Sequence, residues 1–177
     1  MKIKRFFPFE NFILQTKLSP ADVLSRVSNS IEPRKNFQFS FFSVARSKPY
    51  EGKIFGSNFE INRIIYYRNS FLPVIRGTIY TYLDRTEIKI TMRPTVFVIV
   101  FMSFWLGTVG LVCVAMIIVA LTQLEKIFQG GVSLFAFIPI GMFIVGAAMI
   151  VVGFKTESKK AEQFLTELFE ASYKQAG

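Results

Sequence analysis

The chain is 177 residues long and 51% hydrophobic, with 21 phenylalanines, no histidine and a formal net charge of +9. The lack of histidine excludes His-based acid–base pairs and Ser-His or Cys-His triads, and the single Cys113 excludes an internal disulfide or a multi-cysteine zinc site. The length suits one modest domain plus membrane segments, and so apolar and phenylalanine-rich a composition points towards a bilayer.

The location of the charge says more than its size. Residues 1–94 hold 16 Lys/Arg against 7 Asp/Glu, which is the whole of the excess. The segment from Lys155 holds four of each sign, and Glu125 offsets Lys126.

The N-terminal run MKIKRFFPFENFIL starts basic, but Pro8 and Glu10 interrupt its apolar part and no small-residue cleavage site follows, so it does not read as a signal peptide. Residues 4–18 are a candidate first strand. A helix follows: Ser19 suits the N-cap, Pro20 the first helical position, and Asp22 lies three residues after the cap. Val23, Val27 and Ile31 form its apolar stripe, and Pro33 ends it.

Strands come next. FQFSFFSVAR (37–46) and YEGKIFG (50–56) read as two of them, and Gly56-Ser57-Asn58 as a turn. NFEINRIIYYR (58–68) alternates, with Phe59, Ile61, Arg63, Ile65 and Tyr67 on one face. Ile75, Gly77, Ile79, Thr81 and Leu83 share a face of the next strand, and Asp84-Arg85 is a tight connection to another in which Ile88, Ile90 and Met92 alternate with polar residues.

No charged residue occurs in the 28 positions from Thr95 to Thr122 or in the 23 from Val132 to Phe154. A hydrocarbon core needs about 20 apolar helical residues, so both segments qualify as spans. The connector at 123–131 is short, so the spans form an antiparallel hairpin. Lys89 and Arg93 flank one outer end and Lys155, Lys159 and Lys160 the other. The positive-inside rule then places both termini in the cytoplasm, the connector outside, and the protein in the inner membrane. Ser103, Gly107 and Gly110 in the first span, and Gly141, Gly146, Ala147 and Ala148 in the second, are small residues suited to close helix packing, within the hairpin or between protomers. Pro139 is positioned to kink the second span. The spans lack ionisable groups, which argues against ion-coupled transport by a single chain.

Beyond Lys155, residues 155–177 form an amphipathic helix with Phe164, Leu165, Leu168 and Phe169 on one stripe, extended by Tyr173. Such a stripe needs an apolar partner, and the sheet offers one on the same side of the membrane. The expected architecture is α+β: an antiparallel sheet domain at 1–94 with an early helix, an inserted transmembrane hairpin (95–122 and 132–154), and a C-terminal helix packing back on the domain.

This order of elements resembles helix-grip (START-like) domains and, alternatively, PH-like domains. The run YYRNSFLPVIRGTI followed by TEIKITMRP and an apolar span is similar to a group of uncharacterised bacterial two-helix membrane proteins. The resemblance covers about residues 52–105 and implies no activity.

No phosphate-binding glycine loop and no spaced carboxylate pair appears, so the chain reads as non-enzymatic and without a cofactor or metal. The candidate binding residues are Arg63, Tyr67, Arg68 and Arg76, all in or near RIIYYRNSFLPVIRG. Arg63 falls on the apolar face and needs a partner or a route to water; Glu51, Glu60 and Asp84 are the nearby carboxylates. Arg68 and Arg76 are expected to face outward. The basic surplus suits anionic lipid head groups at the inner leaflet better than nucleic acid. The functional expectation is a membrane-anchored binding module, or a subunit of a membrane assembly, with a protein partner or further copies of itself. An oligomerising two-helix effector or pore is the alternative, and a lipid-handling domain a further one.

Overall fold

The computed structural model describes residues 8–33, 48–82, 84–122 and 134–173. The expected strand at 37–46, the basic start at residues 1–7, the connector at 123–131 and the inward position of Leu83 lie outside these residues. The chain divides into two compact units: Met1–Thr95 with Gly153–Gly177, and Val96–Val152.

The first unit is α+β. Its strands are β1 (Glu10–Thr16), β2 (Ile31–Pro33), β3 (Tyr50–Phe55), β4 (Asn58–Arg63), β5 (Val74–Tyr82), β6 (Arg85–Arg93) and β7 (Ser172–Tyr173). They form one seven-stranded sheet in the order β2-β3-β4-β5-β6-β1-β7. The sheet is mixed and not wholly antiparallel as expected: β2 pairs parallel with β3, Ile31 opposite Tyr50. At the β3–β4 turn Gly56 takes a φ of 55°, the left-handed conformation that a two-residue hairpin demands and glycine adopts without penalty.

Helix α1 (Pro20–Ser30) begins with the expected N-cap. The Ser19 hydroxyl accepts from the Asp22 amide while the Asp22 carboxylate accepts from the Ser19 amide, a reciprocal capping box. Val23 and Val27 are buried, but the helix stops one residue before Ile31, which is buried as the first residue of β2.

One face of the sheet carries the core. Leu14, Tyr50, Phe59, Ile61, Ile75, Ile79, Ile88, Ile90 and Met92 are buried there with Val23, Val27, Phe154, Ala161, Leu165 and Phe169. Phe59 pairs across the ladder with Gly77, and its ring lies over that glycine: a Cβ on Gly77 would fall 2.0 Å from the ring. Helix α3 (Ile138–Leu168) supplies the rest of this layer. Phe154, Glu157, Ser158, Ala161 and Leu165 recur on one buried face at helical spacing, continued by Phe169 just past the helix. Phe164 stacks on Tyr50 with ring centroids 4.4 Å apart, and Phe169 meets Phe59 at 6.2 Å.

The C-terminal end of α3 is capped from other elements. Arg26 donates to the Leu168 carbonyl at 2.8 Å and pairs with Glu170, and the Thr16 hydroxyl donates to the Phe169 carbonyl at 2.7 Å. The Ala171 amide reaches the Thr166 carbonyl, and Glu170 takes the left-handed position with φ 48°. Tyr173 therefore leaves the helical stripe. It lies in β7, where it pairs with Leu14 and its ring packs against Phe12.

The second unit holds α2 (Val96–Thr122), a 3₁₀ turn (Leu134–Phe137) and the apolar part of α3. Both helices are long and apolar enough to cross a membrane. Gly110 lies against Phe143, and Gly146 against Leu106 and Trp105, so these two glycines let the helices approach. Among the described residues, nothing lies within 4 Å of a Cβ placed on Gly107 or Gly141. Pro139 sits in the first turn of α3, where its missing N–H breaks no helical bond. The position expected to kink the span starts the helix instead.

Candidate functional site

The β3–β4 register places Tyr50 directly opposite Arg63, both on the core-facing side of the sheet. Strand β4 ends at Arg63. The Ile64 amide donates to the Pro49 carbonyl at 2.9 Å, and residues 64–73 then leave the ladder, so the alternation expected through Ile65 and Tyr67 does not continue. Within this loop Asn69 organises the chain. Its Oδ1 accepts from the Phe71 amide at 3.0 Å, and its Nδ2 donates to the Gly153 carbonyl on α3 at 3.2 Å. Phe71 lies over Gly153, where a Cβ would come within 2.9 Å of its ring.

One helical turn beyond Gly153 is Glu157, whose side chain is 3% exposed. Arg63 Nη1 donates to its Oε2 at 2.5 Å. The Tyr67 hydroxyl donates to Oε1 at 2.5 Å, and Lys160 Nζ reaches the same oxygen at 2.9 Å. A second tie lies between Lys155 Nζ and Glu10 Oε1, 2.5 Å apart, which joins α3 to the start of β1.

Burial by itself would raise the Glu157 carboxyl, but hydrogen bonds from Tyr67, Lys160 and Arg63, with the Arg63 charge, outweigh it and hold the group below the usual carboxylate range. Burial opposes the charge on Arg63, yet its bond to Glu157 raises it further. The Tyr50 hydroxyl is pushed up to about 12, chiefly by burial, with Arg63 pulling the other way. Neither Glu157 nor Tyr50 is poised to exchange a proton near neutral pH. The arrangement is a clamp on α3 in which two cations and a hydroxyl satisfy one carboxylate.

The front of this clamp opens into a groove of about 420 Å³ between Lys48-Pro49 and residues 63–67. Lys48 is held in place by its own bonds, Nζ donating to the carbonyls of Ser28 at 3.1 Å and Ile31 at 2.9 Å. Tyr66 projects with 88% of its surface exposed.

Of the four residues singled out in the sequence, Arg63 and Tyr67 meet on Glu157. Arg76 lies on the opposite face of the sheet, where its Nε donates to Glu60 at 2.8 Å. Arg68 is exposed and makes no hydrogen bond or ion pair among the described residues. The Arg63 partner is none of Glu51, Glu60 or Asp84. Sequence reasoning missed Glu157 because it is 94 residues away. A signal was present: stepping back from Leu165 in fours along the apolar stripe reaches Ala161 and then Glu157. That is a carboxylate on an apolar face, needing a cation as Arg63 needs an anion.

The chain matches no family model, no curated protein and no solved structure.

Proposed function

We propose that the protein is a non-enzymatic, membrane-anchored binding module, its α+β domain held at the cytoplasmic face of the inner membrane by a two-helix transmembrane hairpin. The observation that carries this reading is the continuity of α3, a single helix that begins as an uncharged apolar segment and ends as a core element of the sheet domain. The domain inherits the entire +9 charge excess, which suits an anionic leaflet at about 1 kcal/mol per well-placed Lys or Arg. The low Glu157 pKa and the committed donors around it support binding over catalysis. We take the domain as helix-grip-like, with β1 between β6 and β7 and α3 closing the inner face.

Reporter fusions at Lys2, Gln129 and Gly177 test the topology. The reading expects cytoplasmic signals at the first and last and an external one at Gln129; a cytoplasmic signal at Gln129 rules out the hairpin.

A second reading is an assembly of several copies within the membrane, as a subunit or a pore-forming effector. It is favoured by Gly107 and Gly141, small residues that the hairpin's own packing leaves open. Size in detergent separates the readings: a monomer or dimer favours the anchor, a large ring the pore. A lipid store inside the sheet finds less support, because Phe59, Tyr50, Leu165 and Phe169 fill the space between sheet and helix.

A further inference from the structure

We infer that the groove between Lys48 and Tyr67 is a discrete site for the phosphate of an anionic phospholipid. This rests on the reading of the apolar helices as a transmembrane hairpin and adds to it a one-to-one lipid site.

Three observations converge. The first is charge. Among the described residues the groove is lined by Lys48, Pro49 and Arg63, with Ile64, Ile65, Tyr66 and Tyr67, and by no carboxylate; the nearest acid to Lys48 is Glu32, whose Oε1 accepts from the Lys48 amide at 3.3 Å. Glu157 lies behind Arg63 and engages one guanidinium nitrogen, Nη1, leaving a side chain that is still 30% exposed. Two cations, Arg63 and Lys160, share that single carboxylate, so the cluster keeps a positive charge before Lys48 is counted. A guanidinium braced on one edge presents its remaining donors in the planar geometry that phosphate oxygens accept.

The second is depth. The uncharged run of α3 ends at Phe154, and Glu157 is three residues further, about 4.5 Å along the helix axis. The loop bearing Tyr66 and Tyr67 is bonded to the same helix through Asn69 at Gly153. With the run to Phe154 in hydrocarbon, Glu157, which holds Arg63 and Tyr67, falls on α3 just past the apolar segment, in the head-group range.

The third is the rim. Tyr66 is exposed beside Tyr67 and Ile65, giving the apolar and hydroxyl-bearing surface that interfacial tyrosines provide for a lipid's glycerol and upper acyl chain. A free phosphate ion would make no use of that rim.

The test uses the full chain in neutral detergent, titrated with phosphatidylglycerol or phosphatidylcholine and followed by native mass spectrometry and melting temperature. The site predicts saturable retention of one phosphatidylglycerol per chain in preference to phosphatidylcholine. Tyr66→Glu puts a negative charge at the rim without touching the core and should weaken that retention about tenfold. Tyr80→Glu, at an exposed tyrosine on β5, should leave it unchanged. Lys48→Gln keeps an N–H donor for the Ser28 and Ile31 carbonyls but loses the charge, and should weaken retention as well. The inference is overturned if Tyr66→Glu and Lys48→Gln bind like wild type, if Tyr80→Glu loses as much as Tyr66→Glu, or if equimolar inorganic phosphate displaces the lipid. Alkaline extraction of the source membranes separates the two levels. Release of the protein sinks the hairpin reading itself, whereas retention with undiminished Tyr66→Glu binding sinks only the lipid site.

Discussion

Arg63 Nη1 and Glu157 Oε2 lie 2.5 Å apart although they are 94 positions apart in the chain, and the long apolar helix α2 and the apolar part of α3 fall within that interval. The pair therefore closes the sheet domain across its insertion. Arg63→Ala leaves a nearly buried carboxylate with only Tyr67 and Lys160, and should lower unfolding stability by about 2–3 kcal/mol. Glu157→Gln should cost a similar amount. A double-mutant cycle read by thermal unfolding should give a coupling of about 1 kcal/mol or more; additive effects would mean that the contact contributes nothing in solution.

The same carboxylate sets a pH dependence. Its pKa is lowered in the folded state, so the native protein binds fewer protons than the unfolded chain. The stabilisation is present in full above the ordinary glutamate range, about pH 4.3, and is lost as pH falls through the lower folded value. Wild type and Glu157→Gln should thus differ most at neutral pH and converge only as pH falls below the ordinary glutamate range and through the lower folded value. A stability gap that stays constant down to acid would contradict the ionised assignment.

Gly77 is required because the Phe59 ring occupies the position of its Cβ. Gly77→Ala should destabilise the domain by about 1–3 kcal/mol through forced displacement of that ring. Phe59→Leu in the Gly77→Ala background should recover part of the loss, which compared melting temperatures would reveal. If Gly77→Ala costs the same with leucine at 59, the clash is not the cause.

The end of α3 should behave as core. Leu165 is fully buried, and Leu165→Ala should cost about 2–5 kcal/mol. Truncation before Lys159 removes Leu165 and Phe169 together and should prevent the sheet domain from folding stably, as judged by loss of its cooperative melt. A truncated chain melting like the full one would mean that the helix contributes no core.

Asn69 holds residues 64–73 against α3 through its bond to the Gly153 carbonyl. Asn69→Ala should lower stability by only about 1 kcal/mol but free the loop locally, raising the rate of tryptic cleavage after the exposed Arg68. Equal cleavage rates in wild type and variant would show that the loop is held by Phe71 alone.

Much of the architecture was legible in local chemistry. The cap at Ser19-Pro20-Asp22, the alternation in β5 and β6 and the charge-free runs follow from forces acting between residues near in sequence: amide capping, the two-residue pleat, and the transfer of apolar side chains from water. The inward position of Arg63 was legible for the same reason, since Phe59 and Ile61 set the face of its strand. Only the tertiary structure decided the rest. That β4 ends at Arg63, that β2 runs parallel to β3, and that Glu157 rather than a neighbouring carboxylate answers the arginine all depend on contacts closed over long chain separations. No periodicity encodes which of several acids an inward-facing cation will meet. That is settled by which helix the whole core draws against the sheet.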